Sequence, residues 1–169
     1  DTAAPETDYI YIDTPGSTVD DATVWNDTVP TTSVFSIGTH DDINASGDTY
    51  VAYCWTGIAG YSKFGLYKGN GSVDGTFVYC GFRPALILTR SINSAGRMFT
   101  FDNKRNGYNG GTSSNLNINF DDAAVDVTAM HVDLLSNGFK LKITTDPNVA
   151  EDYQFMAFAE HPFGGSGVS

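Results

Sequence analysis

Residues 132–144 read VDLLSNGFKLKIT, two apolar runs joined by an Asn-Gly pair. An Asn-Gly pair flanked by alternating apolar residues is the strongest short-range signal for a β-hairpin. We therefore expect an antiparallel hairpin with strands within Val125–Leu135 and Phe139–Thr144 and a turn at Ser136-Asn137-Gly138. A hairpin of this kind indicates a β fold.

The alternation of apolar and polar residues continues outward from the hairpin in both directions. Ala85–Arg90 is apolar on both faces, which predicts a central strand, and Asp121–Val127 is the best candidate for a single helical turn. Many short strands separated by turns predict an all-β fold, a β-sandwich or jelly roll of about ten short antiparallel strands. The other expected strands are Tyr9–Ile12, Ser33–Ile37, Thr49–Trp55, Lys63–Lys68, Thr76–Cys80, Arg97–Asp102 and Tyr153–Ala159.

The length of 169 residues predicts one domain with at most a small appendage. Residues 1–30 are expected to form an N-terminal strand and arm that packs on the body or on a neighbouring subunit. Residues 31–163 are expected to form the β-sandwich body, and the Gly-rich residues 164–169 a flexible tail. The net charge of −11 argues against nucleic acid and anionic membranes as partners, because their phosphates would repel the chain. We expect no membrane insertion.

The residues that usually carry chemistry are scattered. His40, His131 and His161 have no partner at metal-ligand spacing, which argues against zinc. Acidic pairs could offer oxygens to calcium, but no loop has the Asp-x-Asp-x-Asp-Gly order that would make a calcium site specific. We therefore predict no cofactor; calcium is possible but is not supported by a specific motif. Without a paired-carboxylate, nucleophile or phosphate-loop signature, we predict that the protein is not an enzyme. Cys54 and Cys80 are expected to be separate buried thiols, with one bridge as the open alternative.

Surface recognition remains as the expected activity. Aromatic rings beside Asn, Asp and Gly are the ingredients of carbohydrate binding, because a ring covers the apolar face of a sugar while amides and carboxylates bind its hydroxyls. The same aromatic residues would serve a protein–protein interface equally well. The candidate ligand-binding residues are Trp55, Tyr61, Arg105, Asn106, Tyr108 and Asn109.

Several ordered motifs resemble a module found in predicted tail-fibre and structural proteins of marine bacteriophages. They cover roughly residues 9–163, and the resemblance weakens at residues 90–110, where a receptor site would be placed. The motifs are VWNDTVPTTSVFSIGT (24–39), NASGDTYVAYC (44–54), GYSKFG (60–65), YKGNG (67–71), DGTFVY (74–79), GFRP (81–84), SNGFKL (136–141), MAFAE (156–160) and PF (162–163).

The resemblance implies a lectin-like β-sandwich that belongs to a virion, assembled in the host cytoplasm. It also implies partners among other virion proteins and other copies of the chain, in a homotrimer as phage fibres usually are. Three functions follow as hypotheses. The first is a tail-fibre or capsid-fibre module that recognises a host-surface glycan. The second is a purely structural or decoration protein without receptor binding. The third, and least favoured, is a glycan depolymerase.

Overall fold

The computed structural model of the chain describes residues 7–105, 113–117, 125–127 and 132–162. Within them nine strands form two antiparallel sheets, and two four-residue helices precede the first strand. This confirms the all-β prediction with two sheets, while a jelly-roll connection of the strands stays a prediction. The elements are α1 (Ala22–Trp25), α2 (Asp41–Asn44), β1 (Ser62–Lys68), β2 (Phe77–Tyr79), β3 (Pro84–Ser91), β4 (Phe99–Asp102), β5 (Ser113–Asn117), β6 (Val125–Val127), β7 (Val132–Leu135), β8 (Gly138–Leu141) and β9 (Asp152–Ala159).

The larger sheet has the strand order β1-β9-β3-β4-β5-β6, and the smaller sheet has the order β2-β8-β7. The last strand, β9, therefore lies between β1 and β3 and pairs antiparallel with both. Ala157 of β9 is opposite Lys63 on one side and Ile87 on the other. The larger sheet therefore forms only when the last strand, β9, is placed between β1 and β3. The predicted central position of Ala85–Arg90 is confirmed, because β3 has neighbours on both sides.

The predicted hairpin is present as β7 and β8. Leu135 pairs with Gly138, so Ser136 and Asn137 form the two-residue turn and Gly138 already belongs to β8. Glycine is required here because a Cβ on Gly138 would overlap the carbonyl oxygen of Val78 in β2. The Asn-Gly pair therefore marks the hairpin correctly, but its glycine serves the close approach of a third strand.

Aromatic packing joins the two sheets. Phe139 of β8 is completely buried, and its ring lies 6.0 Å from Tyr67 of β1 and 5.7 Å from Phe155 of β9, both approached edge to face. Tyr67 also stacks on Tyr153 at 5.1 Å. Offset and edge-to-face pairs at these distances stabilise a core beyond simple area burial. Four rings from both sheets thus form the centre of the sandwich.

The predicted strands before Ser62 are wrong. Tyr9–Ile12 contributes only one isolated bridge, from Tyr9 to Val19, and Ser33–Ile37 and Thr49–Trp55 belong to no sheet. The apolar alternation of Ser33–Ile37 and Thr49–Trp55 does not mark a buried face, because nearly all of these residues are exposed. A strand also needs a neighbouring strand to pair with its backbone groups. Within the described chain these two segments have no neighbouring strand.

Local structure in this N-terminal region comes from short helices that the strand pattern did not predict. The Asp21 side chain accepts a hydrogen bond from the Thr23 amide at the start of α1, and His40 accepts one from the Asp42 amide at the start of α2. The helical turn predicted within Asp121–Val127 is wrong at Val125–Val127, which forms β6. Residues 121–124 lie outside the described chain.

A buried arginine attaches the first described residues to the larger sheet. The Arg90 guanidinium, fully buried at the end of β3, donates to the carbonyl oxygens of Tyr11 and Gly16. Thr18 donates to the carbonyl oxygen of Ile92, 3.0 Å away. Removal from water lowers the pKa of Arg90, because burial disfavours its charged form. The carbonyl oxygens of the N-terminal segment compensate for part of that lost hydration.

All sheet strands of the described chain begin at Ser62 or later. The expected division into an N-terminal segment of residues 1–30 and a body of residues 31–163 stays a prediction. The tail of residues 164–169 lies outside the described chain. The two cysteines are unpaired, as expected, but Cys54 is exposed and only Cys80 is buried. The prediction of a buried Cys54 is wrong because its segment is not part of a sheet. Burial raises the pKa of the Cys80 thiol to about 11.

We predict that Gly138→Ala lowers the free energy of unfolding by about 2–3 kcal/mol, because the new methyl group must displace β2 from β8. The matched control is Gly16→Ala, where no heavy atom lies within 4 Å of the position that the new methyl group would take. The control should stay within about 0.5 kcal/mol of the wild-type chain in urea denaturation. Equal effects of the two substitutions would contradict the close contact between β2 and β8.

Candidate binding surface

The outward face of the larger sheet is apolar across three neighbouring strands. Side chains alternate along each strand, so the neighbours of the buried core residues point away from the smaller sheet. Cross-strand pairing brings Phe64 and Leu88 against Met156, and Leu86 against Phe158. The Phe64 and Phe158 rings meet edge to face at 5.8 Å. We call this set the outer patch: Phe64, Leu66, Leu86, Leu88, Met156 and Phe158.

The outer patch is partly open to solvent. Leu66 is 39% exposed, and the other five side chains are only partly buried. An antiparallel sheet with one solvated face normally carries polar residues on that face. A contiguous apolar patch is instead typical of a surface that contacts another molecule. The sequence signal for the outer patch is the run Ala85–Arg90, which is apolar on both faces of the strand. By itself this pattern predicts only a central core strand.

A second apolar surface precedes β1. Residues 49–59, which we call the arm, run without a sheet partner until the single bridge between Ile58 and Ser62. Three of its large side chains are strongly exposed: Val51 at 78%, Tyr53 at 75% and Trp55 at 60%. The Tyr53 and Trp55 rings stack on each other at 6.2 Å. The arm therefore presents an aromatic pair to solvent.

The start of the arm is fixed to α2. The Tyr50 hydroxyl donates to the carbonyl oxygen of Asp41 and accepts from the amide of Ala45, at 2.9 and 2.8 Å. The end of the arm is fixed by the tight turn that joins Ile58 to Ser62. Because both ends of the arm are held, a local movement of the segment cannot easily bury its exposed side chains.

The predicted ligand-binding residues fall in two places. Trp55 lies in the arm and Tyr61, 38% exposed, lies in the turn between the arm and β1. Arg105 follows β4, which is three strand positions from β1. Asn106, Tyr108 and Asn109 lie outside the described chain. The described residues therefore connect two of the six candidates along one segment and place a third elsewhere.

Arg105 is engaged by its own strand. Its Nε donates to Asp102 Oδ2 at 2.5 Å, and a terminal nitrogen donates to the carbonyl oxygen of Thr100 at 3.2 Å. Partial burial raises the pKa of Asp102, but hydrogen bonds from Arg105 and from the amides of Lys104 and Arg105 outweigh it and leave the pKa below its usual value. The guanidinium thus stabilises the turn after β4, and a ligand would have to compete with Asp102 for it.

The described residues offer no group of three or more His, Cys, Asp and Glu side chains that could hold a metal ion. His40 caps α2, and His161 lies 3.9 Å from Glu160, while His131 lies outside the described chain. Of the acidic pairs, Asp41 and Asp42 occupy the first turn of α2. The pair at residues 121 and 122 lies outside the described chain. Both helices of the described chain are four residues long, far too short to cross a membrane.

The two described glutamates are too far apart to act together on a sugar. Glu151 precedes β9 and Glu160 follows it, so about 30 Å of extended strand separates them. Paired glycosidase carboxylates lie about 5–9.5 Å apart. Each glutamate instead has a local partner: Glu151 accepts from Ser91 and Ser94 at 2.7 Å, and Glu160 accepts from Asn103 at 2.9 Å. This pair therefore cannot supply the chemistry of a depolymerase.

We predict that Asp102→Asn lowers the free energy of unfolding by about 1 kcal/mol at pH 7, because the amide cannot replace the charged contact with Arg105. The folded-state pKa of Asp102 is below the unfolded value, so its stabilisation is complete above about pH 4 and is lost as the pH falls through the folded value. The difference between the two proteins should therefore shrink on acidification. Urea denaturation at pH 7 and pH 3 checks this, with exposed Asp48→Asn as the control, and a constant difference would contradict it.

Comparison with known proteins gives the family. No curated protein and no solved structure matches the chain. A family model described as a domain of unknown function, DUF7483, matches residues 2–162. Since this match includes both sheets of the described chain and nearly the whole sequence, the protein belongs to the DUF7483 family.

Proposed function

We propose that the protein is a structural module of a bacteriophage virion that assembles with other copies of itself and with other virion proteins. The motif resemblance to phage fibre modules supports the virion. The outer patch and the arm support assembly, because both place large apolar side chains in water. The observation that carries the proposal is the arm, where Val51, Tyr53 and Trp55 are more than half exposed.

Exposure on this scale favours an assembling protein over a free monomer. Single exposed apolar residues are normal on soluble proteins, but contiguous ones mark surfaces that become covered. Aromatic residues are enriched in the buried centre of protein interfaces, as the stacked Tyr53 and Trp55 pair would be. A cyclic trimer, the usual form of phage fibres, would bury three such arms.

A second candidate, recognition of a host-surface glycan, is favoured by the same aromatic pair. Exposed ring faces can cover the apolar face of a sugar, and the trimer would amplify weak single contacts through multivalency. The two functions make opposite demands on Trp55. A glycan site needs the ring to stay exposed in the assembled protein, whereas a subunit interface needs it buried.

For assembly, we predict that the full chain sediments as a species of about three times 18.2 kDa. The double substitution Tyr53→Ser and Trp55→Ser should shift it toward the monomer by removing the buried centre of the interface. The control is Val73→Ser, which removes a similarly exposed apolar side chain from the loop after β1. Sedimentation equilibrium from about 1 µM to about 1 mM checks this range of affinities. A monomer throughout would contradict the assembly.

If the aromatic pair instead recognises a glycan, the assembled protein should bind host polysaccharide on an array, and Trp55→Ala should abolish binding while the sedimenting mass is kept. Loss of the assembly in Trp55→Ala would assign the ring to the subunit interface. An assembled protein that binds no glycan would leave the purely structural function as the better account.

A further inference from the structure

We propose that the arm of one copy adds to the free edge of β1 in a second copy as an antiparallel strand. This inference rests on the self-assembly in the proposed function and specifies the surfaces that meet. The arm supplies an uncharged segment with large apolar side chains that belongs to neither sheet, and β1 supplies a sheet edge at which Phe64 and Leu66 have no neighbouring strand in the described chain. Addition of a strand to an exposed edge is a recurring mode of recognition, in which backbone hydrogen bonds supply affinity.

The edge of β1 is open for pairing. β1 ends the larger sheet, and in the described chain its strand partner is β9. Tyr61 accepts from the Ala159 amide, so the backbone groups of alternate residues Lys63 and Gly65 face β9 as well. The backbone groups of Phe64 and Leu66 therefore face outward. Unpaired edge groups of this kind are a template for another strand.

The arm of the same chain begins this pairing and then leaves it. Ile58 and Ser62 exchange both backbone hydrogen bonds, at 3.0 and 2.9 Å, which is the first pair of a hairpin. The next such pair would join Thr56 to Phe64, but the Thr56 carbonyl oxygen accepts instead from the Ser62 hydroxyl at 2.9 Å. The contact directs the arm away from its own β1 and leaves the edge to an arm from another copy.

We assign to the contact between copies the register of this bridge, since the same two segments would pair. Continued along β1, the pairing of Ile58 with Ser62 places Trp55 opposite Gly65 and Cys54 opposite Leu66. Gly65 has no side chain because the Phe155 ring lies where one would be, at 3.2 Å from a Cβ. A large aromatic residue opposite a strand glycine covers the backbone that the glycine exposes. A slip by one residue would turn Trp55 to the other face of the sheet, away from the Gly65 position.

The charges of the chain favour contact between copies in this arrangement. Residues 1–61 contain ten of the twenty Asp and Glu residues and none of the nine Lys and Arg residues. Residues 49–62 carry no charge, and Lys63 and Lys68 stand at the two ends of β1. An acidic N-terminal region that brings an uncharged strand to a lysine-flanked edge is electrostatically complementary to it.

The test uses the native thiol of Cys54, which is exposed. Opposite residues of a hydrogen-bonded antiparallel pair have Cα atoms about 5.5 Å apart, within the range of a disulfide. Wild-type chain is mixed with the double variant Leu66→Cys, Cys54→Ser and oxidised with diamide, so that any disulfide between positions 54 and 66 must join two chains. We expect at least about tenfold more of it than with the control Val73→Cys, Cys54→Ser, because pairing raises the effective thiol concentration.

Far-UV circular dichroism verifies that the variants fold. If Leu66→Cys does not, the pair Ala52→Cys and Lys68→Cys on separate Cys54→Ser chains tests the same register. A disulfide that forms only inside single Leu66→Cys chains would overturn the inference in favour of the chain's own arm. An assembled protein without the disulfide would overturn it while leaving the proposed assembly intact. A monomer at every concentration would overturn both.

Discussion

The packing of Phe139 against Tyr67 and Phe155 is the contact on which the structure depends. The smaller sheet has three strands, and Phe139, from its central strand, is completely buried against the larger sheet. The contact also positions β1, because Tyr67 belongs to it. When Tyr67 faces the core, the alternation of the strand turns Phe64 and Leu66 to the outer face. The core therefore determines which side of β1 is left apolar and exposed.

The apolar surfaces and the strand edge that the described residues leave uncovered lie next to each other. The outer patch covers three strands that include β1, the free edge of β1 borders it, and the arm leads into β1 through the Ile58–Ser62 turn. Natural sheets usually cover or disrupt long apolar edges, because such edges attract other chains. Here the same chain that carries the edge also carries an uncharged strand able to cover it in a second copy. Assembly would thus give hydrogen-bond partners to the backbone groups of both the arm and the edge of β1.

The sequence predicts most of the sheet strands from Ser62 onward and predicts poorly before it. Even after Ser62 it misses β5, and it expects one strand over Val125–Leu135 where β6 and β7 belong to different sheets. The hairpin, the central β3 and the last strand β9 follow from alternation and turn residues, because in those segments the local pattern agrees with the final pairing. Thr49–Trp55 has the same alternation without a partner, and no local pattern reports pairing. Of the candidate ligand-binding residues, Trp55 is exposed in a segment that the sequence predicts as a strand, whereas Arg105 is held by Asp102 through backbone geometry at the end of β4 that the sequence does not indicate.

The most direct test of this account is residue-resolved amide hydrogen exchange of the full chain at about 10 µM and about 1 mM, concentrations that span weak self-association. If the arm pairs with β1 of another copy, the amides of Phe64, Leu66 and alternate arm residues become protected as concentration rises. Lys63 and Gly65, which already face β9, should not change. Unchanged exchange at Phe64 and Leu66 in a protein that has assembled would contradict it.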